Sequence, residues 1–474
     1  MTLPAKFVER VLRDLGGTEG AALCAALDAE PPVSVRLNPA KTGADTLPAG
    51  PDAGLPVPEA AGLPALAIAG RVPWSRDGRY LAVRPSFTLD PDFHAGAYYV
   101  QEASSQFVGH LLADAGAEGA RILDLCAAPG GKTTLYASLA GPDGLVVANE
   151  IDRRRASVLA DNVRKWGTGN VAVTTCEPRA LGDFEAWFDV VAVDAPCSGE
   201  GMFRKDPDAR GEWSEGNVRQ CAARQDEILR EAWRALRPGG TLVYSTCTFN
   251  RDEDEGALER MAVWAGDEIA ESEETAVEDA WGIVCGRVGA FRTFRFYPHR
   301  TCGEGFFAAV ARKSFDAGGR VRAPKARRTV FAAVDRKTAG ELARWVRNPG
   351  GMRFAAVADT CYAWYAAQAD AVRTLSEALS VIYSGVALGQ VFKGVLKPDP
   401  ALAFFDGLNR GALPAAELDD EETLRFLRRQ DIAAGGLAEG MNLVCSRGRA
   451  LGFAKRIGAR VNNLYPNSLR IVKQ

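Results

Sequence analysis

Two stretches of the chain set a cysteine just past the end of a short apolar run. One reads Asp194-Ala195-Pro196-Cys197-Ser198-Gly199-Glu200-Gly201 and follows the apolar run 188–193. The other reads Tyr244-Ser245-Thr246-Cys247-Thr248 and closes the run 241–245. A single cysteine is most often a small buried hydrophobe, and Cys24, Cys285, Cys361 and Cys445 are read in that way. Two at the ends of apolar runs, one of them beside Asp194, point instead to thiolate chemistry. That chemistry needs nearby positive charge or a helix dipole to favour the attacking anion. A third stretch, Leu123-Asp124-Leu125-Cys126-Ala127-Ala128-Pro129-Gly130-Gly131-Lys132-Thr133-Thr134, runs from an apolar segment through small residues into a helical pattern. Small residues let a ligand approach the backbone, and the free N–H groups of a helix start point at it. Gly131-Lys132-Thr133 imitates the end of a phosphate-binding P-loop. That motif needs glycine where Cys126 stands, and GxGxxG is absent too, which argues against a nucleotide hydrolase. Glu150 ends the next apolar run. It reads equally as an acid that binds the two hydroxyls of a ribose and as an acid favoured by a helix dipole.

A pair of thiols suits alkylation of a pyrimidine. Carbon 5 of cytosine is a weak nucleophile. A thiolate that adds to carbon 6 makes the ring an enamine, and carbon 5 then attacks an electrophilic methyl group. The carbon-5 proton and the thiolate must afterwards leave, so a second acid/base group is useful. Asp194, protonated or hydrogen-bonded, would hold the polar edge of the ring. S-adenosyl-L-methionine is the methyl donor that fits a small-residue loop and a ribose acid without phosphate contacts.

These residues need a scaffold that brings strand ends together. Apolar strands are predicted at 121–125, 145–149, 171–174, 188–193 and 241–245. Helices are predicted at 131–140, 152–166 and 216–236, the last closed by Arg237-Pro238-Gly239-Gly240, and another after Asn250. The alternation argues for a parallel sheet with helices on both faces, whose ligands bind outside the carboxyl ends of the strands. A closing strand is read at 305–310. Upstream lie an amphipathic helix over 4–15 (Phe7, Val8, Val11, Leu12, Leu15), a Pro/Gly/Ala-rich loop over 40–73, and the segment 96–105 leading into a helix through Leu112. Residues 252–280 hold twelve acids and one base, Arg260, and read as a solvated face. The stretch 320–328 carries five bases and no acid and reads as a boundary linker; 441–474 carries seven bases and no acid.

Composition narrows the function. The 474 residues hold 57 Lys+Arg against 60 Asp+Glu, a net charge of −3, so bulk positive charge is not how this chain would grip nucleic acid; a local basic groove remains open. Only three histidines and no Cys-x-x-Cys pair argue against a metal site. No apolar run approaches the ~18 residues that span a bilayer, and the start, MTLPAKFVERVLRDLG, lacks an apolar signal core. The expectation is a cytoplasmic protein with reduced thiols and no membrane partner.

The motifs taken in order, 124–133, 148–152, 194–207 (with Met202-Phe203-Arg204-Lys205-Asp206-Pro207) and 245–250, together with 97–105, make the sequence resemble the Nop/Sun-type RNA cytosine-C5-methyltransferases. The resemblance is strongest to their RsmF-like branch, which acts on small-subunit ribosomal RNA. It covers residues 1–313. It implies an α/β fold with a Rossmann-like S-adenosylmethionine-dependent methyltransferase sheet, and a partner that is 16S ribosomal RNA or the small ribosomal subunit; a monomer is expected, although the sequence itself is silent on oligomeric state. It implies that Cys126, Ala127, Ala128, Pro129, Gly130, Gly131, Lys132, Glu150 and Asp194 contact or frame the cofactor. Cys247 would be the nucleophile, Cys197 would assist release of the methylated base, and Lys205 would lie near the active site. Where relatives often carry Asp near the adenine, this chain has Glu177. The C-terminal part resembles the pre-PUA and PUA-like RNA-binding extension of that branch, ending in Asn463-Leu464-Tyr465-Pro466-Asn467-Ser468-Leu469-Arg470. The expected division is an N-terminal RNA-binding-type domain (1–95), a catalytic domain (96–313), a pre-PUA domain (325–395) and a PUA-like domain (396–474). The basic excess of 441–474 suits phosphate contacts. Two rivals stand beside this reading. Cys197 is an alternative nucleophile, because DNA cytosine methyltransferases use a Pro-Cys motif, and a non-catalytic ribosome-assembly factor on the same scaffold is the alternative function.

Overall fold

The computed structural model describes residues 2–43 and 63–472. The chain begins with a helical hairpin, α1 (Ala5–Leu15) and α2 (Gly17–Leu27). Phe7 and Val11 of α1 are the buried pair of the apolar stripe read from the sequence. An antiparallel sheet follows, built from β1 (Val33–Leu37), β2 (Ile68–Arg71), β3 (Gly78–Leu81) and β4 (Tyr98–Tyr99) in the order β2-β3-β1-β4. The loop expected over 40–73 is therefore interrupted by β2, which pairs with β3; its part from 44 to 62 lies outside the described residues.

The central sheet takes β5 (Arg121–Asp124), β6 (Leu145–Asn149), β7 (Val171–Thr174), β8 (Phe188–Asp194) and β9 (Leu236–Thr246) as parallel neighbours in the order β9-β8-β5-β6-β7. These strands are Val/Leu/Ala-rich because both faces are covered. Ile122, Val190, Ala192 and Val243 face one core, and Leu123, Val191, Val193 and Leu242 face the other. From β5 the chain first winds outward through β6 and β7, then returns to β8 and β9 on the other side. The crevice between β5 and β8 is thus the topological switch point, where such sheets bind ligands. The short β10 (Ile269–Ala270), then β11 (Val284–Val288), β12 (Phe291–Phe296) and β13 (Phe306–Lys313), extend the sheet antiparallel past β9. At the opposite edge the strand Val381–Ser384, from the C-terminal part, pairs antiparallel with β7. Among the described residues this makes ten strands.

Several sequence expectations are corrected. Residues 237–240 do not close a helix: the helix ends at Ala235 and β9 starts at Leu236. Between the paired positions Leu236–Phe188 and Thr241–Val190, those four residues bulge opposite the single Asp189, which Arg237 pairs at 2.6 Å. Proline lacks an N–H for the ladder, and Gly239 supplies a φ of +71°, so the strand bends there without ending. The acid run is not wholly solvated, since Glu253 and Asp254 are completely buried. Asp254 accepts from Thr246 Oγ1 (2.6 Å) and pairs with Arg295 (2.7 Å). Cys361 and Cys445 are buried as expected, but Cys24 is partly exposed and Cys285 is exposed on the outer strand β11.

Beyond residue 330, a five-stranded sheet includes Met352–Val357, Thr360–Tyr365 and Val386–Phe392. A four-stranded sheet of Ala415–Glu417, Gly440–Ser446, Arg449–Ile457 and Arg460–Asn463 ends the fold.

Candidate active site

The parallel register sets Asp194 at the end of β8 beside Ser245 of β9. Ser245 Oγ donates to Asp194 Oδ1 (2.9 Å), and Lys132, arriving from the helix Gly131–Ala140, pairs with Oδ2 at 2.8 Å. Just beyond, the two chains turn so that Cys197 Sγ and Cys247 Sγ lie 3.3 Å apart, both free and half-buried. The turns are joined by Gly201 N, which donates to Cys247 O (2.9 Å). A Cβ on Gly201 would come within 2.4 Å of Gly305 O, so only glycine fits this approach. The Cys197 thiol is pushed well above its ordinary range, first by its hydrogen bond with Cys247, then by burial, and then by the charges of Cys247 and Glu253. Burial would lower the Lys132 ammonium, but Asp194, Cys247 and Asp124 together raise it, so it stays a cation.

Buried carboxylates hold both turns. Glu200 accepts from Trp213 Nε1 (2.8 Å), Phe249 N (3.1 Å) and Asn250 Nδ2 (3.2 Å), and pairs with Arg10 of α1. Phe7 of α1 packs against Phe203 and Phe249, so the N-terminal hairpin touches both cysteine turns. Glu253 accepts from Ser198 N (2.9 Å), Gln225 Nε2 (2.9 Å) and Asn250 Nδ2 (2.7 Å). Sequence patterning sets Glu253 in an acid run and gives no sign of Gln225. The available signal is Asn250 three residues before Glu253, whose Oδ1 accepts from Glu253 N (2.9 Å), a local turn typical of Asn.

The loop between β5 and the helix Gly131–Ala140 is fixed from outside. Pro129 O accepts from Asn162 Nδ2 (2.8 Å), and Ala128 O from Arg155 Nη2 (3.0 Å). Gly131 O accepts from Arg36 Nη2 (3.0 Å). Arg36, which sequence patterning misses, comes from β1, is fully buried and stacks on Trp166 at 4.4 Å. Beside the loop, Asp124 Oδ2 accepts from Thr133 Oγ1 (2.6 Å), while its buried Oδ1 has no partner. Burial, with Asp194 and Glu150 nearby, lifts the Asp124 carboxyl to about 7 against the opposing pull of Thr133 and Lys132. Cys126 is a half-buried thiol raised by burial and by Asp124, Asp194 and Glu150, which makes it an inert wall residue. Glu150 is buried at the end of β6, and the neighbouring helix is capped by Asp152. Three carboxylates around a small-residue loop, one with an unpartnered oxygen, suit a ligand that carries positive charge and hydroxyls, as S-adenosylmethionine does. Two expected residues stand apart. Lys205 is exposed on the turn after Glu200–Met202 and acts on Glu304. Glu177 is exposed at the start of the helix Pro178–Gly182, past the end of β7. Among the described residues neither side chain bonds to the cluster.

A Rossmann-like sheet with this loop, acid and thiol pair on its carboxyl edge defines a methyltransferase of the α/β class. Three family models match the chain: 16S rRNA methyltransferase RsmB/F over residues 111–312, the N-terminal domain of 16S rRNA methyltransferase RsmF over 3–103, and the methyltransferase RsmF PUA domain over 414–471. Ribosomal RNA small subunit methyltransferase F from Escherichia coli is 33% identical over 426 residues, covering 84% of each chain. The protein of that name from Shewanella loihica is 32% identical over 418 residues, covering 84% of this chain and 83% of the relative. Among solved structures, a methyltransferase homolog from Pyrococcus horikoshii is 27% identical with a TM-score of 0.51, covering 65% of this chain and 94% of its own. The chain belongs to the ribosomal RNA small subunit methyltransferase F family.

Proposed function

We propose that this protein methylates carbon 5 of a cytosine in 16S ribosomal RNA, with S-adenosyl-L-methionine as donor and a transient covalent bond from Cys247 to the base. The observation that carries the reading is the pair of sulfurs 3.3 Å apart at the strand ends, next to the Lys132–Asp194 ion pair. The relatives' names supply the RNA, and the C-terminal PUA match and the N-terminal module supply surfaces to hold it in the cytoplasmic small subunit. The four-part division at 95, 313, 325 and 395 belongs to this reading.

Each residue has a task. The target base leaves its stack, which costs a few kcal/mol and least where it is unpaired. Asp194, oriented by Ser245 and Lys132, holds the polar edge of the ring. Cys247 Sγ bonds carbon 6, beside the positive charge of Lys132. When bound, the cofactor would supply an electrophilic methyl group: carbon 5 would bond the methyl carbon as its bond to sulfur breaks, and the sulfonium would become a neutral thioether. The carbon-5 proton passes to solvent; the electrons of that C–H bond reform the 5,6 double bond, the carbon 6–sulfur bond breaks, and Cys197 assists release of the methylated base by donating its thiol hydrogen toward the departing Cys247 sulfur, which regains its thiolate. Glu150 would hold the ribose hydroxyls, and Asp124, whose Oδ1 has no partner, would meet the cationic end of the donor. Lys205 and Glu177 would meet RNA and adenine only after ligands bind.

The test is bisulfite mapping of 16S RNA from cells whose only copy of this gene carries Cys247→Ala or Cys197→Ala. Cys247→Ala should leave the target cytosine unmethylated. Cys197→Ala should accumulate a protein–RNA adduct that survives denaturation. Full methylation by Cys247→Ala would overturn the assignment and favour attack by Cys197.

A further inference from the structure

Two chemically alike sulfurs 3.3 Å apart need something outside themselves to decide which one attacks. Their surroundings differ. Lys132 acts on the Cys247 side. On the other side, Glu253 and Gln225 grip the peptide groups that flank Cys197. Gln225 Nε2 donates to Pro196 O (3.1 Å) and to Glu253 Oε2 (2.9 Å), and that same oxygen accepts from Ser198 N (2.9 Å). Glu253 Oε1 accepts from Asn250 Nδ2 (2.7 Å), which also donates to Thr248 Oγ1 (2.8 Å) beside Cys247. Burial pushes the Glu253 carboxyl up, and its three partners, all N–H donors, oppose that shift and favour the anion. The other groups facing this space do not cancel its charge. Tyr244 is a neutral phenol whose hydroxyl donates to Glu253 O (2.6 Å), and Cys221 is a thiol raised to about 11 mainly by burial. Asp254 adds negative charge but is paired with Arg295, which also holds Glu255; Arg260 is committed to Asp226, and Arg224 acts on Cys221.

We propose that Glu253 is the positioning residue that divides labour between the sulfurs: it brackets Cys197 through both flanking peptides, and its charge keeps that sulfur a protonated thiol, so that Cys247 alone attacks. This rests on the reading that Cys247 is the nucleophile. A protonated Cys197 donates its hydrogen toward Cys247 Sγ and does not compete for carbon 6. The raised position of the Cys197 thiol agrees: the Cys247 contact and burial lead, and the Glu253 carboxylate adds to them.

The test needs neither RNA nor methyl transfer, so it is separable from the assay of function. In the full chain carrying Cys247→Ser, alkylation of Cys197 by iodoacetamide is followed by peptide mass mapping across pH, with thermal melts of each variant. The midpoint should lie above the ~8.5 of a free thiol. Adding Glu253→Gln should lower it by about one pH unit, an approximately tenfold faster alkylation at pH 8. Glu253→Asp, which keeps the charge but draws it back by one methylene, should lower it by less. An unchanged midpoint in Glu253→Gln overturns the proposal, as do equal shifts in both variants. Should Glu253→Gln not fold, Glu253→Asp decides alone: a lowered midpoint supports the proposal and an unchanged one overturns it.

Discussion

Asp152 N donates to one oxygen of Glu150 (3.0 Å), and Arg155 pairs with the other (3.1 Å), so this carboxylate is preset before any ligand arrives. Helix capping does not need it, because Asp152 accepts from Arg154 N and Arg155 N (both 2.9 Å). Glu150→Gln keeps the shape and loses the charge. Hydrogen bonds to charged groups are worth about 1.5–3 kcal/mol, so binding of S-adenosylmethionine, read by calorimetry, should weaken at least tenfold while kcat holds, the pattern of uniform binding. A fall in kcat at unchanged affinity would remove Glu150 from the ribose role. The residues legible from sequence alone, Cys197, Cys247, Asp194 and Lys132, are those whose type is unusual at a strand end or helix start. Glu253, Gln225 and Arg36 were illegible for a physical reason: each is a polar residue that ordinary patterning assigns to solvent, and only tertiary contact shows that it is buried and hydrogen-bonded at the site.

Parallel strands buried on both faces are the strongest local pattern in the chain, which is why Leu145–Asn149, Val171–Thr174 and the helix Gly131–Ala140 fall where the apolar runs place them. Elements shaped by distant partners were less legible. The bulge in β9 depends on pairing with β8, and β2 depends on its neighbour β3. β1 is another such element. Its Val35 and Leu37 face the apolar core of its own module, while Arg36 crosses to the cofactor loop and bonds Gln101 Oε1 (2.7 Å), Gly131 O (3.0 Å) and Thr134 Oγ1 (2.6 Å). Arg36→Met would fill the space and strand Gln101 Oε1, while Gly131 O keeps its bond from Thr134 Oγ1 (3.1 Å). Buried groups stranded in this way cost about 1–3 kcal/mol each at most. We expect a melting temperature lower by several degrees and a raised KM for the methyl donor. A normal KM with a lowered melting temperature would make Arg36 a fold residue without influence on the loop.

The molecule closes on itself, and this accounts for part of the basic tail. Arg447 pairs with Asp92 (2.9 Å), Asp90 (3.4 Å) and Asp420 (2.9 Å), and Arg449 pairs with Asp92 (2.8 Å). Those two arginines dock the C-terminal module on the N-terminal one, while Lys455, Arg460 and Arg470 are exposed; Lys473 lies outside the described residues. His94 sits at the same junction. Its Nε2 lies 2.8 Å from Thr88 O and its Nδ1 lies 3.4 Å from the Tyr465 hydroxyl, a pattern that suits the neutral ring. Burial lowers its pKa to about 4, against ~6.5 when unfolded. Between those values the unfolded chain binds the extra proton, so stability falls as pH drops from 6.5 to 4 and levels off below. The full effect is roughly 3 kcal/mol. His94→Gln removes this titration, whereas the junction carboxylates titrate in both proteins. Denaturant midpoints at pH 7 and pH 4.5 should therefore show a loss on acidification that is larger in the wild type than in His94→Gln by about 2 kcal/mol. Equal losses in the two would mean that His94 does not hold a neutral ring at this junction, and that acid acts on the closure through Asp90 and Asp92 instead.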